Sequence, residues 1–252
     1  MSILRYFGGK SVLAPQIVPL IPKHTTYVEP FAGAAWILFS KPESSVEVIN
    51  DLNADLIGLY RCVQNHLEEL VKQFKWLLCS RDEFERVKSL PPESLTDIQA
   101  AARFLFLNRL AYNGLMSNPR FAVSTTRRPS LNLLRIEETL SEAHLRLSRV
   151  WIERMDFGKC IERYDTPETF FYVDPPYFKR EAVYGEGLFE RADFQRLSEQ
   201  LAGIQGKFIL SIDSSLEMRE QFKRFEVDEV STTWSSKEAN RKVKELLVRN
   251  FS

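Results

Sequence analysis

Five short apolar segments, separated by helical patterns, constrain the fold of this chain more than any other feature of its sequence. They lie at residues 25–30, 46–51, 170–174, 207–213 and 244–250. Continuous apolar runs of this length are typical of strands buried on both faces of a mostly parallel sheet that helices cover. We therefore predict an α/β fold.

The chain between the second and third of these strands is helical in pattern. Helices are predicted over 53–76, 96–113 and 131–149, and the polar segment 113–130 is predicted to be a loop or short ribbon. A crossover between parallel strands needs one helix, so the surplus indicates an inserted helical subdomain. The predicted domains are a sheet domain formed by 1–53 and 150–252 and an insert formed by 54–149.

The predicted insert is basic, although the whole chain has no net charge. Between Arg103 and Arg149 there are eight arginines, no lysine and three acids. A solvated helix face is the ordinary explanation of such a run. The exclusive use of arginine, which makes two-point contacts with phosphates and guanine edges, favours a nucleic-acid surface instead.

Composition excludes several other classes of protein. The three cysteines lack C-x-x-C spacing, and the three histidines are scattered, so neither disulfides nor a metal site is predicted. The first ten residues lack the apolar centre of a signal peptide, and the longest apolar run, about eight residues at 32–39, is too short to cross a membrane. We expect a soluble cytoplasmic protein.

The segment FFYVDPPYFKR, residues 170–180, is the most informative motif. Asp174 follows a buried strand, and Pro175 and Pro176 force the chain to leave the sheet in an extended, rigid path. Ligands of open α/β sheets bind at the carboxyl ends of strands. A carboxylate, the free carbonyl of Pro175 and the ring of Tyr177 suit a planar group that carries an amino function.

Three further motifs converge on the same edge of the predicted sheet. They are YFGGK at 6–10, VEPFAGAAW at 28–36 and VINDLN at 48–53. The first places two glycines before Lys10 at a helix start, which favours an anion. The second is a small-residue turn without G-x-G-x-x-G, and the third places Asp51 where an acid commonly binds a ribose. Glu29, Asp51 and Asp174 are thus predicted at the ends of three neighbouring strands.

In this order along the chain, together with FLNRLAYNGL at 106–115 and RKVKELLVRN at 241–250, these motifs resemble the Dam-like, D12 class of DNA adenine-N6 methyltransferases. The resemblance implies a Rossmann-like methyltransferase fold that binds S-adenosylmethionine and carries a helical target-recognition insert. It implies double-stranded DNA as partner, with a cognate restriction endonuclease as a functional partner. One protomer would hold a complete site, so a monomer or weak dimer is expected.

The resemblance also implies roles for individual residues. Asp174 and Pro175 would bind the amino group of the target adenine, and Tyr177, after Pro176, would stack on the base. The segment 178–190 is expected to form a mobile cover over the active site. The implied cofactor residues are Tyr6, Gly9, Lys10, Glu29, Pro30, Phe31, Gly33, Asp51, Leu52 and Asp174. The implied or candidate DNA contacts are Arg5, Arg109, Tyr112, Asn113, Leu115, Arg120, Arg127 and Arg128.

The sequence departs from the family pattern at the recognition loop. Family members that read GATC have an arginine where this chain has Ser117, and their loop is longer, so a different recognition sequence is expected. A methyltransferase of cytosine, RNA or a protein amide remains an alternative, since each substrate presents a planar amino group. A non-catalytic DNA-binding protein is a second alternative, and a nucleotide-binding enzyme is disfavoured because no phosphate loop is present.

Overall fold

The computed structural model describes residues 2–5, 10–126, 128–178, 187–235 and 240–251, and the side chains of 232–235 and 240–242 are outside this description. The chain forms two compact units. A helical unit comprises Met1–Phe7 and Asn53–Ile152, and a sheet unit comprises Gly8–Leu52 and Glu153–Ser252. The first seven residues thus group with the helices, whereas the sequence analysis placed them in the sheet domain.

A seven-stranded sheet has the order β3-β2-β1-β4-β5-β7-β6. Strands β1, β2, β4 and β5 are parallel, and β7 runs antiparallel to both β5 and β6. This mixed α/β architecture is consistent with a Rossmann-like methyltransferase fold and confirms the predicted fold class. The strands are β1 Thr26–Glu29, β2 Val46–Asn50, β3 Val150–Glu153, β4 Thr169–Val173, β5 Lys207–Asp213, β6 Glu226–Ser235 and β7 Asn240–Arg249.

All five predicted strands form, but β3 and β6 were not predicted. These two are the edges of the sheet. An edge strand has one neighbour and tolerates polar residues, so its sequence lacks the continuous apolar run of a central strand. Trp151 in β3 is largely exposed, and β6 contains three acids in its first four residues. By contrast, every residue of β4 is buried.

The sheet unit contains α1 Lys10–Ile17, α2 Trp36–Ser40, α8 Phe157–Tyr164, α9 Asp193–Leu201 and α10 Leu216–Gln221. Its core is rich in aromatic residues, and Phe189 lies with its ring centre 4.9 Å from that of Phe194 and 5.6 Å from that of Phe31. These apolar contacts fix the loops that surround the carboxyl ends of the strands.

The helical unit contains α3 Ala54–Asn65, α4 Leu67–Phe74, α5 Arg81–Ser89, α6 Asp97–Leu110 and α7 Ile136–Leu147. Helix α6 begins with a capping box in which Thr96 and Gln99 bind each other's backbone, and eight of its fourteen residues are buried. It is therefore the central helix of this unit. Among the described residues, no helix combines the length and apolar character needed to cross a membrane.

Candidate active site

Three acidic residues lie at the carboxyl ends of three adjacent parallel strands, as the sequence analysis predicted. Glu29 ends β1, Asp51 follows β2, and Asp174 follows β4. Strand β1 pairs with both β2 and β4, so the carboxyl ends of the three strands lie side by side. Open α/β sheets bind their ligands at the carboxyl ends of the strands.

Asp174 is the one residue between Thr169 and Phe178 that is not buried. Its side chain keeps 23% of its surface exposed, whereas the side chains on either side of it are covered. The backbone N–H of Phe178 donates to Asp213 Oδ1 at 2.9 Å, which fixes the far end of the DPPY segment. The strand therefore presents a single carboxylate to solvent from a rigid, buried support.

A buried lysine holds this carboxylate. The Nζ atom of Lys10 lies 3.1 Å from Asp174 Oδ1, 2.8 Å from Glu245 Oε2 and 3.0 Å from Ser211 Oγ. An ammonium group has three N–H donors, so the protein supplies an acceptor for each. We call Lys10, Asp174, Tyr177, Ser211 and Glu245 the Lys10 cluster.

Tyr177 completes the Lys10 cluster. Its hydroxyl donates to Glu245 Oε1 at 2.9 Å, and its ring centre lies 4.9 Å from Lys10 Nζ, within the range of a cation–π contact. The side chain is almost fully buried. The stacking of a base on the ring of Tyr177 stays a prediction. The hydroxyl of Tyr177 binds Glu245 within the protein.

The protonation states in the cluster follow from burial and charge. Burial raises the pKa of Asp174 to about 6, an effect that Lys10 opposes and Glu245 strengthens. Burial acts to lower the pKa of Lys10, but Asp174, Tyr177 and Glu245 together raise it well above its usual value. Near neutral pH the cluster therefore contains an ammonium beside the ionised carboxylate of Asp174.

Glu29 is turned into the protein rather than toward solvent. Its Oε1 accepts hydrogen bonds from the hydroxyl of Tyr27 at 2.6 Å and from the backbone N–H of Leu38 at 2.8 Å. Burial raises its pKa to about 8, although both hydrogen bonds oppose this shift. These contacts tie α2 to β1, so Glu29 fixes the shape of the turn between them.

That turn has the predicted small residues and a tight backbone. Gly33 and Ala35 both have positive φ angles, 46° and 49°, and the N–H of Gly33 donates to Asp51 Oδ2 at 3.1 Å. The N–H of Ala32 donates to the carbonyl of Asn50 at 2.8 Å. The turn after β1 and the acid after β2 are thus joined, with Leu52 partly exposed beside them.

Two other implied cofactor residues support this turn. The carbonyl of Pro30 accepts from Asn50 Nδ2 at 2.9 Å, and the ring of Phe31 lies 5.1 Å from that of Phe157, measured between ring centres. Tyr6, Gly9, Arg127 and most of the predicted cover 178–190 lie outside the described residues.

In the helical unit, Asn108 and Arg109 organise the candidate DNA contacts. The buried side chain of Asn108 accepts from the N–H of Arg5 at 2.9 Å and donates to the carbonyls of Arg5 and Gly114 at 2.8 and 3.1 Å. Gly114 has a φ of 69°, and a Cβ atom there would lie 2.3 Å from the carbonyl oxygen of Arg5. Only glycine fits this contact.

Arg109, a candidate DNA contact, is used inside the helical unit. Its guanidinium donates to the carbonyls of Ile3 and Ser130 at 3.3 and 2.8 Å, and burial, with a smaller effect of Arg5, lowers its pKa. These contacts connect α6 to the N-terminal segment and to the end of the loop 113–130. They favour a structural role over contact with DNA.

The remaining candidates lie nearer the surface. The side chains of Arg120 and Arg128 are exposed and make no hydrogen bond or ion pair with the residues that the structure describes. Tyr112 is partly exposed, Asn113 has a positive φ of 55°, and Leu115 is half-buried. One antiparallel bridge, between Ala111 and Phe121, closes the first part of this loop.

Three residues that organise these sites were not predicted from the sequence: Ser211, Glu245 and Asn108. The available signal was a polar residue inside an otherwise apolar run, as in FILSID and KELLVR. Burying such a group is costly unless it has partners, so its position in a predicted strand or helix indicates a specific contact. The identity of the partner could not be predicted in this way.

Comparison with known proteins gives one consistent result. The family model of the D12 class N6 adenine-specific DNA methyltransferases matches residues 6–241. The Type II methyltransferase M1.LlaDCHI of Lactococcus lactis subsp. cremoris is 28% identical over 98% of this chain and 94% of its own length. The Type II methyltransferase M.CviBI of Paramecium bursaria Chlorella virus NC1A is 26% identical over 87% of this chain and 85% of its own. The DNA adenine methylase of Escherichia coli strain K12 is 35% identical over 45% of this chain and 42% of its own.

Proposed function

Because this chain belongs to the D12 class of N6 adenine-specific DNA methyltransferases, we propose that it takes the methyl group from S-adenosylmethionine and transfers it to an adenine rotated out of duplex DNA at a specific site. The observation that carries the assignment of the active site is the position of Asp174. It is the one residue between Thr169 and Phe178 that is not buried, and Lys10 holds its carboxylate in place.

The chemistry requires fixed acceptors rather than a strong base. The exocyclic nitrogen of adenine is a poor nucleophile because its lone pair is delocalised into the ring. The carboxylate of Asp174 and the carbonyl of Pro175 can accept the two N–H bonds and favour a geometry in which the lone pair is available. They also stabilise the positive charge that the nitrogen gains, through positioning and preorganised electrostatics.

The turn after β1 fits a cofactor that lies against the backbone. The turn consists of small residues, and Gly33 and Ala35 adopt left-handed conformations. The N–H of Gly33 donates to Asp51, so backbone atoms and a carboxylate lie close together at the ends of β1 and β2. We assign Phe31, Gly33, Asp51 and Leu52 to this site. Asp51 would bind the ribose of the cofactor. When bound, S-adenosylmethionine supplies a methyl group that is activated by a sulfonium.

The contacts of two implied cofactor residues favour other roles. Lys10 donates to Asp174, Glu245 and Ser211, so we assign it to the positioning of Asp174. Glu29 binds Tyr27 and Leu38, so we assign it to the shape of the turn. Neither side chain is needed as a direct ligand in this proposal.

The helical unit would recognise the DNA. A base inside a duplex cannot reach a carboxylate at a strand end, so the target must leave the stack. The exposed arginines 120 and 128, with Arg5, suit phosphate and base contacts, and the Tyr112–Leu115 turn is the candidate segment that props the opened duplex. A restriction endonuclease with the same site is proposed as a functional partner, since two relatives are named Type II methyltransferases.

The test is methylation by the protein of plasmid DNA from a methylation-deficient host. Digestion to nucleosides identifies the methylated base, and long-read sequencing identifies the methylated site. We expect N6-methyladenine in one short motif. Asp174→Ala should lower the rate about 1,000-fold with a smaller effect on cofactor binding, because it removes contacts made in the transition state. The control is Asp228→Ala, which removes an exposed carboxylate on β6 that pairs with Arg249.

Two results would overturn the proposal. Activity of Asp174→Ala within about tenfold of the parent would exclude Asp174 from the reaction. Methylcytosine, methylated RNA or methylated protein as the product would exclude adenine in DNA as the substrate.

A further inference from the structure

Glu245 is a buried carboxylate to which the sequence analysis assigned no role. It lies on β7 opposite Asp213 of β5, and its side chain has no exposed surface. A carboxylate in such a place is strongly unfavourable unless it is paired and hydrogen-bonded. The partners of Glu245 therefore indicate what it is for.

Both oxygens of Glu245 bind residues next to the reacting group. Oε2 accepts from Lys10 at 2.8 Å, and Oε1 accepts from the hydroxyl of Tyr177 at 2.9 Å. Lys10 in turn binds Asp174, and Tyr177 is the last residue of the DPPY segment. Lys10 alone thus separates Glu245 from Asp174, and the second contact of Glu245 reaches the residue three positions after Asp174.

The charges in the Lys10 cluster give Glu245 a second effect. Lys10 with Asp174 alone would be a neutral pair, and a neutral pair gives little stabilisation to a substrate that becomes positively charged. With Glu245 present, one ammonium faces two carboxylates, so the cluster retains one net negative charge. This difference grows when a bound substrate displaces water from the carboxylate.

We propose that Glu245 is a positioning residue for methyl transfer, which binds Lys10 and Tyr177 and leaves Asp174 with an uncompensated negative charge for the reacting adenine. The inference depends on the proposed role of Asp174. It adds a residue from the last strand of the sheet to the active site.

The pH dependence of the reaction separates this role from a merely structural one. Asp174 accepts N–H bonds only when ionised, so the rate should fall as the pH drops through the pKa of Asp174, about 6. Glu245 is one cause of that raised pKa. Removal of its charge should therefore move the acid limb of the pH–rate profile, which is the fall in rate at low pH, to lower pH. The groups around Asp174 are Lys10 from α1, Glu29 from β1, Tyr172 from β4, Ser211 from β5 and Glu245 from β7.

The experiment measures single-turnover methylation of plasmid DNA from a methylation-deficient host between pH 5 and 8. Glu245→Gln keeps the size of the side chain but removes its charge. We expect its rate to fall about 10- to 100-fold and its acid limb to move down by about half a pH unit or more, with cofactor affinity nearly unchanged. Glu245→Asp keeps the charge and should leave the acid limb in place with a smaller loss of rate.

Glu226→Gln is the matched control, because it removes a half-exposed carboxylate of the neighbouring strand. It should have the parental rate and acid limb. If Glu245→Gln does not fold, as judged by circular dichroism, Tyr177→Phe tests the other contact of Glu245. Loss of the hydroxyl should lower the rate about tenfold without moving the acid limb, and a parental rate would contradict the proposal.

Other outcomes of the main variant are equally decisive. A rate of Glu245→Gln within threefold of the parent, or a lower rate with an unmoved acid limb, would overturn the proposed role of Glu245. A parent protein that does not methylate DNA would instead overturn the proposed function, so the two failures can be distinguished.

Discussion

Lys10 in the sheet unit is buried and Arg109 in the helical unit is partly buried, and these two cations have different kinds of partner. In the sheet unit, Lys10 binds the carboxylates of Asp174 and Glu245 and the hydroxyl of Ser211. In the helical unit, Arg109 binds the backbone carbonyls of Ile3 and Ser130. Its Nε atom is buried and has no hydrogen-bond partner among the described residues.

The difference distinguishes a charged site from a structural tie. Carboxylate partners at a strand end create a cluster whose charge can act on a ligand. The partners of Arg109 are backbone carbonyls of two other segments, so its hydrogen bonds fix the path of the chain. A buried cation is therefore evidence for a reaction centre only when its partners are themselves ionisable.

Lys10→Met should have the largest effect, because it leaves the buried Glu245 and the partly exposed Asp174 without a counter-ion. Breaking a buried ion pair costs about 3–5 kcal/mol of the free energy of unfolding. We also expect methyl transfer to fall about 100-fold or more, since Asp174 loses its support. Urea unfolding and single-turnover methylation measure the two effects.

Lys41→Met is the matched control for Lys10→Met. Lys41 is also buried and binds the carboxylate of Glu47, but it lies in the segment before β2. It should lose comparable stability while the folded protein keeps its methylation rate. A methylation rate of Lys10→Met equal to that of Lys41→Met would show that the Lys10 cluster acts only on stability.

Asn108→Ala tests the structural tie in the helical unit. The change leaves the N–H and carbonyl of Arg5 and the carbonyl of Gly114 without this partner. Because buried polar groups are left unpaired, we expect the free energy of unfolding to fall by about 2 kcal/mol. DNA affinity should fall as well, because Arg5 and the Tyr112–Gly114 turn lose their common support.

The control for Asn108→Ala is Asn65→Ala, in which the replaced side chain is exposed and binds residues of its own helix end. Its stability should stay within about 0.5 kcal/mol of the parent. Equal stability of the two variants would remove Asn108 from the framework of this unit.

Arg128→Ala should have the smallest effect and act on DNA binding alone. An exposed arginine without a partner among the described residues can contact a phosphate of DNA. Its loss should weaken DNA affinity about fivefold and lower the slope of log affinity against log salt concentration by about one. Arg135→Ala is the control, because Glu138 binds that guanidinium at 2.7 and 2.8 Å. Fluorescence anisotropy over a salt series compares them, and identical slopes would place recognition elsewhere.

The central strands and the acids at their ends could be predicted because both depend on local sequence. A continuous apolar run identifies a strand buried on both faces, and a polar residue directly after it must lie at the strand end. Glu29, Asp51 and Asp174 therefore lie as predicted, and their neighbouring positions follow from the parallel order of the strands. The edge strands β3 and β6 lack this signal.

By itself, the sequence determined the α/β class, the family and the carboxylate after β4, because these depend on residues close together in the chain. Only the tertiary structure decided that Lys10 binds Glu245, which is 235 positions away. It also decided that Arg109 is bound internally whereas Arg128 is exposed. The physical reason is that a charge takes its role from its partners and its burial, and both are set by distant segments that fold against it.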